Sequence, residues 1–108
     1  MSAADSRLRV MLHLRADGEG ELVAAYDGIR HDVAAADGHL SDQLLQSLED
    51  PGQWVITSEW ESAEHYARWA RGHQVDRLAA PIVAVSDDRR HERYAIRRHT
   101  SLDAGERA

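Results

Sequence analysis

The segment QWVITSEWESAEHYARWARGHQVDRL, residues 53–78, decides the fold of this chain. Residues 53–60 alternate between two sides, which is the two-residue period of a β-strand. Ser62 follows at once as a helix N-cap, and apolar side chains then recur at helical spacing. After Gly72 a second helical piece begins, and Pro81 ends or kinks it. We therefore predict a strand that runs directly into a capped amphipathic helix. One side of this strand carries Trp54, Ile56, Ser58 and Trp60.

The segments around this one complete a recognisable order of elements. Leu8–Arg15 alternates as a first strand, and apolar residues at helical spacing predict a helix over residues 21–36. Residues 39–48 alternate imperfectly as a second strand, and the sequence EDPG then provides a hairpin turn. A short last strand is predicted over residues 93–98. The order βαββαβ predicts a ferredoxin-like α+β fold, a four-stranded antiparallel sheet with helices on one face.

The second face of this sheet has no helix to cover it. Its centre is too apolar for bare solvent, and a second copy of the chain is the simplest cover. We therefore expect a homodimer formed through this face into an α/β barrel. The residues assigned to the face are Met11, His13, Gln43, Leu45, Val55, Thr57, Glu59 and Ala95.

Length and composition indicate one soluble domain. The chain has 108 residues, 43% of them hydrophobic and 30% charged, which is enough for one core and too apolar for a disordered protein. We place a single domain at residues 8–99, between a flexible N-terminus at 1–7 and a flexible tail at 100–108. The sequence contains no Cys, so it offers neither a disulfide nor a thiolate ligand or nucleophile.

Charge and hydropathy exclude several classes of partner. The net charge of −6 argues against nucleic acid, because phosphate binding depends on Lys and Arg. The apolar runs are too short to cross a bilayer, and the first residues carry no signal pattern, so we expect a cytoplasmic protein without a membrane partner. Seven His are present, yet no two have the HxH or HxxxH spacing that builds a metal site, and we expect no metal. No Gly-rich phosphate loop follows a strand.

Candidate site residues cluster in the deciding segment. Tyr66, Trp69 and His73 lie at i, i+3 and i+7, along one helix edge if the helix continues past Gly72. They form either a pocket wall with one titratable group, or an aromatic flank that seals helix to sheet with His73 at a helix break. An imidazole titrates near neutrality, so His73 is the first candidate for proton transfer.

The third strand supplies the other half of the predicted pocket. Trp60 can stack over a flat aromatic substrate or pack in the core. Ser58, on the same face as Ile56, can donate a hydrogen bond to a phenolate. His13 is the second catalytic candidate, with a place at the dimer interface as the alternative. Trp54 is interpreted as edge packing.

The other histidines and several arginines have less specific assignments. His31 and His65 fall on the polar sides of their helices and are read as solvated. His91 and His99 bracket the last strand and could reach a pocket mouth. The surrounding arginines form either a solvated basic edge or a site for a substrate carboxylate, and they are Arg89, Arg90, Arg93, Arg97 and Arg98.

The element order, with SEW at residues 58–60, ESAEHYARW at 61–69 and DRLAAP at 76–81, resembles the antibiotic biosynthesis monooxygenase family of dimeric α/β barrels. The resemblance covers residues 8–99. It implies oxidation of phenolic or anthrone-type substrates by O₂ without a bound cofactor, in a dry pocket that orients the substrate anion. Trp60 matches a Trp of those oxygenases. Their second hallmark, an Asn near Val10 or Ile56, is missing.

A haem-degrading branch of the same family is the other comparison. Trp69 matches its Trp against the porphyrin, but Ala79 stands where its axial His would fall, so we do not expect haem. The leading hypothesis is a homodimeric, cofactor-independent monooxygenase of aromatic polyketides, with a small aromatic substrate and O₂ as co-substrate. A polyketide cyclase that uses no oxygen and a non-catalytic accessory protein that binds a small molecule are the alternatives.

Overall fold

The computed structural model of the protein describes residues 6–72 and 74–101. The predicted termini at 1–7 and 100–108 lie mostly outside these residues, as does His73. Four antiparallel strands form one sheet in the order β2-β3-β1-β4, and the helices pack on one of its faces. This is the predicted ferredoxin-like α+β fold. The elements are β1 (Leu8–Arg15), α1 (Glu19–Ala34), β2 (His39–Gln46), β3 (Gln53–Trp60), α2 (Ala63–Ala70), α3 (Gln74–Ala84) and β4 (Asp87–Ala95).

The core lies between the sheet and the helices, on the side that alternation assigned to it. Leu14 of β1 and Leu22 of α1 are fully buried and pack with Trp54. A second cluster joins Leu8 and Val10 to Trp60, which is 1% exposed. Trp54 is therefore a core residue, where edge packing was predicted. Burial of these large apolar side chains is the main force that holds the helices on the sheet.

The last strand begins six residues earlier than predicted. Residues 93–98 were assigned to it, whereas β4 spans Asp87–Ala95. Its polar residues pair with β1 because β4 is an edge strand, where charged side chains reach solvent and no second neighbour must be packed. The register sets Ala95 opposite Leu8, so Ala95 lies on the helix side of the sheet and its assignment to the outer face was wrong. Tyr94 takes that outer place.

The second strand is shorter than predicted and contains a bulge. It ends at Gln46, and Leu48 beyond it is 95% exposed. The register with β3 shifts between His39 and Ser41, so Leu40 is an extra residue in the ladder. Before the bulge, Gly38 has φ of 85°, and a side chain there would collide with His65 of α2. A glycine is therefore required where α1 turns into β2.

Two helices also end at other residues than predicted. The first helix was predicted over residues 21–36 and spans Glu19–Ala34. Pro81 does not end α3, which continues to Ala84. Pro81 lies in the last turn, so only one interior hydrogen-bond donor is lost there.

The outer face of the sheet is partly closed by its own ion pairs. Arg9 donates to Glu59 at 2.9 Å and to Thr57 at 3.0 Å, and Arg7 lies 3.3 Å from Glu59. These contacts bury both acceptors. The apolar part of the same face stays open, because Leu45 is 42% exposed and Tyr94 is 48% exposed.

Candidate functional site

A cavity of about 310 Å³ lies between the helices and the inner face of the sheet. Strands β1 and β3 form its floor, helices α1 and α3 its roof, and helix α2 one end. The alternation of the strands dictates this arrangement, because every second side chain of the floor points at the helices. The lining is chiefly apolar. Its apolar members are Val10, Leu12, Ile29, Val33, Ile56, Leu78, Ala79, Ile82 and Val83.

Three aromatic rings close one end of the cavity. The ring centre of Trp60 lies 5.3 Å from that of Tyr66 and 5.3 Å from that of Trp69. The capped start of α2 explains this contact. The Ser62 hydroxyl oxygen accepts from the backbone N–H of His65 at 3.1 Å. This cap starts α2 directly after β3, so the helix packs against Trp60. The structure thus brings Trp60 of β3 together with Tyr66 and Trp69 of α2 at one end of the cavity.

Ser58 and Ile56 also line the cavity, as the strand pattern predicts. The indole N–H of Trp60 donates to the hydroxyl oxygen of Ser58 at 3.0 Å. Since a hydroxyl can accept and donate together, its hydrogen remains free to bond an oxygen atom inside the cavity. Substrate-binding roles for Ser58, Ile56, Trp60, Tyr66 and Trp69 stay predictions.

A polar cluster that the sequence did not reveal lies on the wall formed by α1 and β2. It consists of Tyr26, His39 and Asp42. The Tyr26 hydroxyl donates to Oδ1 of Asp42, and Nε2 of His39 lies 2.9 Å from Oδ2 of the same carboxyl. His39 also stands edge-on to Trp60, with 5.3 Å between the ring centres. Asp42 and Tyr26 line the cavity, and the cluster is therefore part of the site.

The electrostatics of this cluster follow from its burial. Burial raises the pKa of the Asp42 carboxyl and lowers the pKa of the His39 imidazole. Both shifts oppose charge, because burial disfavours the ionised carboxylate and the protonated imidazole alike. When Asp42 is ionised, the contact is that of a neutral imidazole donating through Nε2 to a carboxylate oxygen. At the other end, burial raises the pKa of Tyr66, which keeps its hydroxyl protonated.

Charged residues stand at the mouth of the cavity. Arg30, Arg89 and His91 line it and are exposed. Arg90, by contrast, pairs with Glu92 at 3.6 Å on the opposite face. His91 thus reaches the mouth as predicted. Binding of a substrate carboxylate by this edge stays a prediction.

Of the two histidines predicted as catalytic, His13 does not line this cavity. His13 is on the outer face of the sheet, where its Nε2 lies 2.7 Å from Glu92. His73 lies outside the described residues, and its role stays a prediction. Ala79 lines the cavity, so the place where the haem-degrading branch would have its ligand offers only a methyl group.

The described ranges offer neither a metal cluster nor a membrane-spanning helix. Residues 6–72 and 74–101 contain no group of three or more His, Cys, Asp or Glu side chains placed to hold a metal ion. Among the helices in those ranges, none has the length and apolar character needed to cross a membrane.

Curated relatives resemble this chain over most of its length. Protein SchA of Streptomyces halstedii is 43% identical over 98 residues, which are 89% of this chain and 26% of SchA. A 42.8 kDa protein in the whiE locus of Streptomyces coelicolor is 45% identical over 103 residues, 93% of this chain and 26% of that protein. Polyketide synthase CurD of Streptomyces cyaneus is 39% identical over 97 residues, which are 88% of this chain and 26% of CurD. The chain spans about a quarter of the length of these relatives.

Solved structures support the fold, and a family model supports the family. The structure of SnoaB, a cofactor-independent oxygenase from Streptomyces nogalater, superposes with a TM-score of 0.76 at 15% identity, over 87% of this chain and 96% of SnoaB. At that identity the likeness concerns the fold alone. The family model described as antibiotic biosynthesis monooxygenase matches residues 7–80, well over half of the chain. The chain belongs to the antibiotic biosynthesis monooxygenase family.

Proposed function

We propose that this chain acts in aromatic polyketide biosynthesis as a monooxygenase that oxidises an anthrone or phenol with O₂ and no bound cofactor. The cavity under the helices carries the proposal. It has an aromatic end built from Trp60, Tyr66 and Trp69, an apolar floor, and a small polar set on one wall. These features suit a flat aromatic molecule with a few hydroxyl or carbonyl oxygens.

The chemistry needs little from the protein beyond this cavity. An electron-rich aromatic anion can itself reduce O₂, and the enclosure must hold it in one orientation and keep water away. In this proposal the hydroxyl of Ser58, which accepts from the Trp60 indole N–H, donates to a substrate oxygen. Family membership supports this activity, as do the name of CurD and the cofactor-independent oxygenase SnoaB.

The proposal is tested by oxygen consumption with an anthrone that carries no substituents at its reactive ring positions. We expect uptake above the spontaneous rate, with one O₂ consumed for each quinone formed. The balance follows because the methylene becomes a carbonyl and the second oxygen atom leaves as water. An uptake equal to that of protein-free buffer at every substrate concentration would sink the proposal.

One observation favours the cyclase as second candidate. Val10 and Ile56 both line the cavity with aliphatic side chains. The oxygenase resemblance implies an Asn amide near one of them. A cyclase needs only a confined cavity and an acid-base group. Turnover of a linear polyketide under nitrogen, at the rate seen in air, would favour the cyclase.

We further propose that two copies associate through the outer face of the sheet. The apolar residues that remain open there support this assembly: Leu45 lies beside Val55 on the neighbouring strand, and Tyr94 lies on β4 at another part of the same face. Light scattering is expected to give twice the 12.1 kDa mass of the chain. Val55→Arg sets a charge in the middle of the face and is expected to give single chains.

Val23→Arg is the matched control, because Val23 is a partly exposed valine of α1 on the other side of the sheet. It is expected to leave the mass unchanged. A single-chain mass for the unsubstituted protein at micromolar concentration would contradict the proposed assembly.

A further inference from the structure

The cluster of Tyr26, His39 and Asp42 holds one carboxylate in a fixed orientation. Each oxygen of Asp42 has one hydrogen-bond partner: Oδ1 accepts from the Tyr26 hydroxyl, and Oδ2 pairs with the His39 ring, which donates to it when the carboxyl is ionised. The donors come from different elements, α1 and β2, so the carboxylate is restrained from two sides. The side chains of His39 and Asp42 are 5% and 12% exposed, which keeps competing water away.

The cluster leaves Asp42 able to accept a further proton. A carboxylate has about four lone-pair directions, and the two bonds described above occupy two of them. Asp42 also lines the cavity, next to its cross-strand partner Ser58. A fixed carboxylate with free lone pairs, in the lining of a mainly apolar cavity, has the geometry of a general base.

Packing alone does not explain a carboxylate at this position. Burying it raises its pKa, so the fold bears a cost to hold a charge there. An aliphatic side chain would continue the apolar lining formed by neighbours such as Ile29 and Ile56. This cost has a functional explanation if the carboxylate interacts with a molecule bound in the cavity.

We propose that Asp42 is the proton acceptor for the substrate held in this cavity. This inference rests on the proposed function in one respect, that the substrate is an aromatic molecule with an acidic hydroxyl or methylene. The bond from hydrogen to the substrate oxygen or carbon breaks, and a new O–H bond forms on Asp42. The electron pair stays on the substrate as a delocalised anion, and nothing is oxidised or reduced in this step.

Tyr26 and His39 are positioning residues in this step. They aim the carboxylate, and their hydrogen bonds do not reach the substrate. Ser58 complements Asp42, because its free hydroxyl hydrogen can bond the oxygen on which the negative charge collects. Together an acceptor and a donor on neighbouring strands favour a substrate with a carbonyl oxygen conjugated to the acidic group, as in an anthrone.

The test uses proton exchange, which requires no oxygen. The protein is incubated under nitrogen in D₂O with anthrone, and deuterium entry into the methylene is followed by NMR. We expect exchange faster than in buffer. Asp42→Asn is expected to lower the protein-dependent rate about 100-fold or more, the scale of general-base catalysis. Asp32→Asn removes the same charge from an exposed position of α1 and is expected to leave the rate unchanged.

A second variant separates catalysis from folding. Asn fits the site of Asp42, but if that variant melts early, Tyr26→Phe removes one hydrogen bond and keeps the ring. We expect its exchange rate to fall about 10-fold while binding of an anthraquinone changes little. The reason is that the orientation of the Asp42 carboxylate affects proton transfer more than it affects substrate affinity. A purely structural role would lower the melting temperature and leave the exchange rate per folded molecule unchanged.

The outcomes distinguish this inference from the proposed function. Exchange that depends on Asp42 without any oxygen uptake would support Asp42 as the proton acceptor and would contradict the proposed monooxygenase activity. Oxygen uptake that is unaffected by Asp42→Asn, or no exchange above the buffer rate, would overturn the base. Loss of exchange in His73→Ala with full exchange in Asp42→Asn would also overturn it, in favour of the histidine.

Discussion

Replacing Trp60 by alanine is expected to lower the free energy of unfolding by about 3–5 kcal/mol. Trp60 is 1% exposed and joins β3 to α2 through its contacts with Tyr66 and Trp69. Truncation leaves a large hole at the end of the cavity and removes the N–H that bonds Ser58. A domain of this size is stable by about 5–15 kcal/mol, so the variant is expected to lose a large part of its stability.

Denaturant unfolding followed by circular dichroism measures this effect. Trp60→Phe keeps a ring in the same place and is expected to cost clearly less. Arg68→Ala, on the exposed side of α2, is the surface control and is expected to change stability by no more than about 0.5 kcal/mol. A Trp60→Ala variant as stable as the surface control would show that the aromatic contacts do not hold α2 on the sheet.

Replacing Ala79 by phenylalanine is expected to abolish most turnover while the protein stays folded. Ala79 lies on α3 and lines the cavity, so a benzyl group there enters the space that a substrate ring would occupy. The cavity is about 310 Å³ and holds little more than one flat aromatic molecule. We expect kcat/KM for the anthrone to fall at least about 100-fold, because excluding the substrate removes both binding and orientation.

The neighbouring residue provides the matched control. Ala80 is exposed on the same helix, and Ala80→Phe makes the same chemical change outside the cavity. We expect its oxygen uptake to equal that of the unsubstituted protein. Melting temperatures of both variants verify that the helix is intact. Full activity in a folded Ala79→Phe variant would show that the reaction takes place elsewhere on the protein.

The fold was largely predictable because local signals agree with the tertiary structure. The alternation of Gln53–Trp60, its hairpin turn and the cap at Ser62 each point to the observed elements. The last strand was misplaced because edge strands tolerate charge, and its run DDRRHE therefore resembles a loop. Because side chains in a strand alternate with a period of two residues, a register error of one residue put Ala95 on the wrong face.

The aromatic half of the candidate site was also predictable. Trp60 ends a strand, and Tyr66 and Trp69 lie in the short helix that follows it after a brief connection. A strand and helix joined so closely must pack against each other, and the helical spacing of three puts both rings on the packed side. The strand period likewise assigned Ile56 and Ser58 to the same side.

The sequence by itself therefore determined the fold, the family resemblance and the aromatic wall, because these depend on periodicity within short segments. Only the tertiary structure decided the polar half of the site. His39 and Asp42 are three residues apart, which puts them on opposite faces of a regular strand. The bulge at Leu40 adds one residue to the ladder and turns both to the same face, where Tyr26 from a distant helix completes the cluster.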